Sequence, residues 1–378
     1  MRILYDDSLA RNPAGTGTFV RGLRAALQSR SEIEIVTARS GLEGAMELDV
    51  PAKRFAGRLG RAVHHVRHYL QELPGDARRE GCDAIFCPTS LGPLRGSVPS
   101  FITIYDLSPV TYARTMDRIS GRYIRAMLDV GLRRSAGVCT ISHAVAVEIQ
   151  ERFPRLYGRI AVAYPGPNPD LIDATPAEPD VEDAPYVLTV GTLEPRKNHV
   201  TILRALADHV RRRPTSRLRL VMAGSAGWLY EPVLQAISEV GLESRVTRLG
   251  KVEPGVLKWL YQHAAALVFP SLYEGFGLPV LEAFALGCPV VAARIDSVAE
   301  IAPADTALLL GPKDVPAWAS ALDTIEARGL PPDMVEAGRR QAQRFTWAAC
   351  ADSVVTLIQS TLERRPHPAL PRERGRDG

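Results

Sequence analysis

Twelve short apolar runs, most of them separated by helical periods, constrain this chain more than any other feature. In the first half, Arg2–Tyr5, Ile33–Thr37, Ala84–Cys87, Phe101–Ile104, Gly137–Ile141 and Ile160–Tyr164 read as strands bounded by turn residues. In the second, Tyr186–Val190, Leu218–Ala223, Val246–Leu249, Leu267–Phe269, Pro289–Ala292 and Ala307–Leu310 do the same. Strands that are apolar almost throughout, alternating with helices, belong to parallel sheets covered on both faces. Between the two runs lies YPGPNPDLIDATPAEPDVEDAP, whose prolines and acids cannot hold a helix or a central strand and which reads as a linker. At 378 residues the chain is too long for one ordinary core. The expected architecture is therefore α/β with two Rossmann-like parallel-sheet domains facing across a cleft: 1–168, a linker at 169–185, and 186–344.

No apolar run approaches the roughly 18 residues that span a bilayer, and Asp6 and Asp7 interrupt the apolar start before a signal segment can form. The expected location is the cytoplasm. Cys82, Cys87, Cys139, Cys288 and Cys350 are scattered and have no paired metal-binding spacing, so they read as reduced packing residues.

In such folds ligands bind beyond the carboxyl ends of the strands. After Val190 comes GTLEPRKNHVTIL, where Arg196 and Lys197 precede a helix; two cations at a helix N-terminus suit a diphosphate. A solvated basic turn has the same composition. The segment SLYEGFGLPVLEAFALGCPVVAA raises a question of its own. Its small residues around Gly275-Phe276-Gly277 and Leu278, with Pro279 opening a helix, look built for an anion, yet Glu274 and Glu282 flank the loop. Carboxylates accept hydrogen bonds from paired hydroxyls, and sugars are the hydroxyl-rich groups carried on nucleotide diphosphates. One glutamate would grip a ribose and the other a transferred sugar. The rival reading is a surface acid at Glu274 and a helix-dipole partner at Glu282.

Taken together, EGFGLPVLEA with its E-x7-E spacing, VGTLEPRKN, GCPVVAA, ITIYDLSP, CTISHAVAVEI, AYPGPN and the opening MRILYD strand resemble the retaining GT-B glycosyltransferases of family 4, the group 1 glycosyltransferases. The resemblance implies that Glu274 meets the donor sugar and Glu282 the ribose. It also implies that Arg196 and Lys197 hold the diphosphate, with amides at Gly275, Phe276, Gly277 and Leu278 completing the cradle. Gly224, Gly250, Lys251 and Val252 would pack the nucleobase, although Gly224 and Gly250 also fit plain strand-end turns. In NPAGTGTFVRGL, Gly17 would approach the diphosphate, and Asp106 the acceptor or donor sugar. Many relatives carry His before that Asp; this chain carries Tyr105, which fits either a sugar contact or simple packing. Ser142 and His143 match a loop of the family in part.

The resemblance further implies a mannosyltransferase-like enzyme that takes a nucleotide-diphosphate sugar as co-substrate, TLEPRKN suggesting GDP-mannose ahead of other GDP- or UDP-sugars; the cleft segments carry no DxD-like metal site, so Arg196 and Lys197 are expected to replace a metal and no cofactor is expected. Its acceptor would be a glycan or polyprenyl-linked glycan of lipopolysaccharide, capsule or exopolysaccharide, and its final helix, 345–363, would cross back to the first domain. A nucleotide-sugar epimerase of the same architecture and an inactive nucleotide-sugar-binding protein are the alternatives; the paired Glu274 and Glu282 argue against both.

Charge is unevenly spread. Between Lys53 and Arg134 there are 14 Lys and Arg against 7 Asp and Glu, although the whole chain carries only +4. Within that stretch KRFAGRLGRAVHHVRHYLQEL puts Phe55, Leu59, Ala62, Val66 and Tyr69 on one helical stripe, with Arg58, Arg61 and Arg67 elsewhere around it. Such a helix fits peripheral contact with an anionic membrane at the inner face of the cytoplasmic membrane, or an ordinary core-facing position; His64, His65 and His68 are expected to be solvated or membrane-facing. No aromatic stacking platform accompanies the arginines, so nucleic acid is not expected as a partner. The Pro- and Arg-rich tail 364–378 is expected to be disordered.

Overall fold

The computed structural model describes residues 1–12, 14–38, 66–111 and 118–364. It contains two six-stranded parallel sheets. The first runs β2-β1-β3-β4-β5-β6, with β1 Arg2–Tyr5, β2 Glu34–Thr37, β3 Ala84–Cys87, β4 Ser100–Ile104, β5 Gly137–Thr140 and β6 Ile160–Val162. The second runs β12-β11-β10-β7-β8-β9, with β7 Tyr186–Val190, β8 Arg219–Ala223, β9 Val246–Gly250, β10 Ala266–Phe269, β11 Val290–Ala293 and β12 Leu308–Leu310. All twelve expected strands form, within one or two residues of the expected ends. The central strands β3, β4, β5, β10 and β11 are buried along their whole length, which is why their sequences do not alternate.

Strand order decides where a site can form. In the second sheet the chain lays β8 and β9 on one side of β7 and then returns to lay β10 on the other. The loops after β7 and β10 therefore diverge at a topological switch point and leave a crevice between them. The first sheet reverses in the same way between β1 and β3.

Two expectations change. The linker holds a helical turn, Pro169–Ile172, capped by the Asn168 side chain at Asp170 N. Its following residues are tied to the second sheet's helix Pro254–His263: Lys258 Nζ donates to the carbonyls of Ile172 and Ala174, and Ala177 N to Gly255 O. Proline is tolerated there because it stands at the first helical position, where no amide hydrogen is needed. His68 is fully buried, neither solvated nor membrane-facing. It lies on a π-helical turn, His68–Glu72, facing Asp6 and Glu72, and although burial alone would push its imidazole pKa down, these two carboxylates outweigh that and raise it. Tyr69 of the basic stripe is likewise in the core, its hydroxyl donating to Asp6 Oδ2 at 3.2 Å. The rest of that stripe up to residue 65, with His64 and His65, lies outside the described residues, as does the tail from 365.

The five cysteines are buried and unbridged. Among the described residues no helix is long and apolar enough to cross a membrane. The last helix, Trp347–Glu363, packs on the first sheet: Trp347 Nε1 donates to Pro167 O at 2.9 Å, its indole meets Phe19 edge-on, and Arg30 reaches Ala348 O and Asp352. The contact requires glycine at 22, where a Cβ would lie 2.3 Å from the Trp347 ring. Gly22→Val should therefore lower stability by about 2 kcal/mol through overpacking, measured as a fall in the midpoint of urea unfolding; an unchanged midpoint would show that the helix does not dock as described.

Candidate active site

The loop after β7 and the loop after β10 meet at the crevice. Pro195–Lys197 form a 3-10 turn that ends in the left-handed residue Asn198, and the helix His199–Arg212 starts there. Arg196 and Lys197 are thereby aimed across the switch point at Glu274. Arg196 Nη1 donates to Glu274 Oε2 at 2.8 Å, and Lys197 Nζ donates to Glu274 Oε1 at 2.7 Å. Glu194 takes the other end of the guanidinium at 2.6 Å. All four charges are buried or nearly so. Burial would raise the Glu274 pKa, but the two cations overcome it and hold the carboxyl down at about 2. The opposite balance holds at Glu194, where burial wins and the pKa is raised.

Glu274 thus meets the cations directly, a pairing that sequence reasoning did not foresee when it gave acids to hydroxyls and bases to phosphate. The two roles are compatible, since each carboxylate oxygen keeps a second lone pair. Glu194 was the residue missed. Its only signal was its position two residues before Arg196, at a strand end.

Beyond Glu274 the chain turns through Gly275 and Phe276 into the helix Leu278–Leu286, whose N-cap Gly277 (φ 115°) supplies no side-chain cap. Pro279 has no amide hydrogen and Val280 N donates to Gly277 O at 2.9 Å, which leaves Leu278 N as the first-turn amide with no helical partner. The Phe276 side chain turns away into an aromatic junction with Tyr164 and Phe345 at 5.9 and 5.7 Å, so only its backbone faces the crevice. Leu278 begins the helix, so Pro279 stands second and not at the opening position expected for it. Glu282 is buried, and its Oε2 accepts a hydrogen bond from Tyr261 at 3.1 Å. Among the described residues no cation is paired with it, and burial pushes its carboxyl up to about 7, with Tyr261 pulling the other way. Two glutamates eight positions apart therefore titrate in opposite directions.

The first half closes over this crevice. A Cβ at Gly275 would lie 1.9 Å from the Tyr105 carbonyl oxygen and 3.3 Å from Asp106 Cβ, and one at Gly15 would lie 3.0 Å from Leu278. Asp106 accepts from Ser108 N and Oγ at 2.8 and 2.6 Å, and its charge helps keep Arg196 protonated. Tyr105 packs: its ring meets Phe19 edge-on and its hydroxyl donates to Pro88 O. Gly17 and Gly224 both serve close backbone approach, to Asn12 O and Gly191 O respectively, so Gly15 rather than Gly17 faces the second half. Gly224 N donates to Gly250 O at 2.7 Å, which joins the β8 and β9 ends beside exposed Lys251 and half-buried Val252. Ser142 caps the helix His143–Arg152, and His143 is exposed at its first position.

The two glutamates make opposite demands on pH. Glu282 binds its proton more tightly when folded, so its contribution to stability is complete below about pH 4.5 and is lost as pH rises through about 7. Glu274 contributes above its unfolded pKa and loses that contribution as pH falls toward about 2. Glu282→Gln stays neutral throughout and should be more stable than wild type at pH 8, on the order of 2 kcal/mol, with little difference at pH 4.5. Urea titrations of both proteins at the two pH values check this; equal differences at both would refute it.

Comparison with known proteins agrees with this geometry. Residues 184–327, which hold both loops of the crevice, match the family described as Glycosyl transferases group 1. O-antigen chain mannosyltransferase B of Escherichia coli is 30% identical over 265 residues, covering 68% of this chain and 69% of that protein. Two solved structures share the fold over almost the whole chain. One is sucrose-phosphate synthase from Thermosynechococcus elongatus, with TM-score 0.72, 22% identity and coverage of 97% of this chain and 100% of that one. The other is Anabaena HepE in complex with UDP and glucose, with TM-score 0.69, 19% identity and coverage of 95% and 100%. At these identities the likeness of the solved structures is one of fold, the GT-B fold, whereas the sequence match to the mannosyltransferase extends over two thirds of both chains. With two Rossmann-like sheets closed over a crevice of paired cations and glutamates, this chain belongs to the group 1 glycosyltransferases.

Proposed function

We propose that the protein transfers a hexose, mannose in first place, from a nucleotide-diphosphate sugar to a glycan or lipid-linked glycan acceptor, with retention of anomeric configuration. The observation that carries this reading is the convergence of Arg196 and Lys197 on Glu274 beside an uncapped helix N-terminus at a switch point. A diphosphate placed there meets two cations and the Leu278 amide at once, and the sugar beyond it meets a carboxylate with lone pairs to spare. HepE, of the same fold, holds UDP and glucose. The Escherichia coli relative is named for O-antigen chain mannosyl transfer, which supports mannose and a role in lipopolysaccharide or a related cell-surface polysaccharide made at the cytoplasmic face of the membrane. Peripheral membrane contact rests on the basic stripe from Lys53 to Tyr69, which lies outside the described residues up to residue 65.

In this reading Arg196 and Lys197 bind the diphosphate and stabilise the charge that builds on it as the glycosidic bond breaks. Glu274 holds both cations in place before the donor arrives and takes the donor sugar's hydroxyls afterwards. Glu282 takes the ribose hydroxyls, and the loops at Gly224 and Gly250-Lys251-Val252 take the base. Asp106 faces the sugar from the first half, and Gly17 shapes the loop that covers the phosphates. The leaving phosphate receives the acceptor's proton on the same face, which is what retention without a strong protein base requires. Two fixed cations occupy the place a metal would take, so the reaction is metal-independent.

Thermal shifts with a panel of GDP- and UDP-sugars should identify the donor, since a ligand bound only by the folded state raises its stability. With that donor, Lys197→Ala should reduce kcat about 100-fold, on the order of 3 kcal/mol, with the fold intact by circular dichroism; turnover within twofold of wild type would contradict the assignment. EDTA should leave the rate unchanged. Loss of activity restored by magnesium or manganese would overturn the metal-independent reading.

A further inference from the structure

Glu274 is held through its chain neighbour and its own carbonyl as well as by its carboxylate, and both of these tethers lead to one helix of the first half. The residue before it, Tyr273, accepts Leu107 N on its hydroxyl at 2.9 Å and donates to Glu148 Oε2 at 3.2 Å. Glu148 lies on the helix His143–Arg152. The Glu274 carbonyl itself accepts from Ser297 Oγ at 2.8 Å, and Ser297 stands on the short helix Asp296–Ile301. One turn further along that helix, Glu300 reaches across to the N-terminus of His143–Arg152. Its Oε2 accepts His143 N at 2.8 Å and Tyr164 Oη at 2.9 Å, and its Oε1 accepts Ala144 N. The next two amides of that helix are satisfied from within the first half, Val145 N by Ser142 Oγ and Ala146 N by Ser142 O.

A helix N-terminus leaves four amides without partners, and a carboxylate there gains from both hydrogen bonding and the helix dipole. Here the second half supplies that carboxylate, so the first two amides are satisfied only while the halves are in contact. Separation of the halves must break the Glu300 and Tyr273 bonds together. That leaves the backbone around Glu274 held from the second half alone, by Ser297 Oγ on its own carbonyl and by Arg196 Nη1 on the Tyr273 carbonyl, each at 2.8 Å.

We infer that Glu300 and Tyr273 are positioning residues that couple closure of the two halves to the placement of Glu274. The inference rests on the glycosyltransferase reading for its kinetic consequence, but its structural content stands apart from that reading. Glu274 is correctly set against the donor only when both tethers are made, so an open enzyme binds nucleotide through its second half and does not cleave the donor.

The test uses the full chain and two readouts. Hydrogen exchange followed by mass spectrometry on peptides covering 141–150 should show the His143 and Ala144 amides protected in wild type and exchanging at least tenfold faster in Glu300→Ala. Glu300→Gln, which keeps one accepting oxygen, should fall between them. Donor cleavage with water as acceptor, measured as release of GDP or UDP from whichever nucleotide sugar most stabilises wild type, should lose at least tenfold in kcat in Glu300→Ala and in Tyr273→Phe. The donor KM should stay within twofold. A merely structural role would lower the melting temperature and leave kcat intact below it, and that result would overturn the inference, as would equal amide exchange in wild type and Glu300→Ala. If wild type binds and cleaves no nucleotide sugar, the proposed function falls, and the exchange comparison alone decides whether Glu300 links the halves.

Discussion

Four charges share a nearly dry site at the carboxyl edge of the second sheet, and most of the molecule's organisation follows from the need to keep them paired. A buried guanidinium or ammonium without a partner costs several kcal/mol, so Arg196 and Lys197 can stand at the crevice only if carboxylates meet them there. Glu194 comes with them from the same loop, while Glu274 must be delivered by another strand. The reversal of strand order between β7 and β10 does this, because it sets the two loops on either side of one gap. The same reversal brings the N-terminus of the helix Leu278–Leu286 to the gap, and it places the Phe276 ring in the junction with Tyr164 and Phe345.

Glu274 and Glu282 show how strongly environment overrides residue type. Both are buried acids of one loop and helix, yet one is held ionised by two cations and the other, with a tyrosine hydroxyl as its partner, is pushed toward protonation near neutrality. A site with this asymmetry holds one fixed negative charge close to its cations and one carboxyl that can donate as well as accept a hydrogen bond. That combination suits a ligand carrying phosphate at one point and hydroxyls at two others. Glu300 extends the logic across the gap, since its carboxylate ends on amides of the other half instead of on a cation.

What was legible in the sequence was what local patterns encode. The apolar runs predicted all twelve strands, most plainly in β3, β4, β5, β10 and β11, where burial on both faces leaves no other periodicity open. The position of Arg196, Lys197, Glu274 and Gly275–Leu278 just past strand ends located the crevice, because loops at the carboxyl edge are where a parallel sheet presents side chains. The segment 169–172 was misread because proline and acids forbid most of a helix but not its first turn. His68 was misread because a stripe of basic residues does not reveal that an acid at the end of β1, Asp6, waits beneath it.

The sequence by itself thus determined the fold class, the two-part organisation and the chemical types gathered at the site. Only the tertiary structure decided which of those groups touch. Lys197 and Arg196 find Glu274 across 77 and 78 residues, and Glu300 finds His143 across 157. Such pairings depend on strand order and on how the halves close, and no local periodicity records either. Their consequences, a glutamate held near pKa 2 and another raised to about 7, arise from burial and neighbouring charge that exist only once the chain is folded.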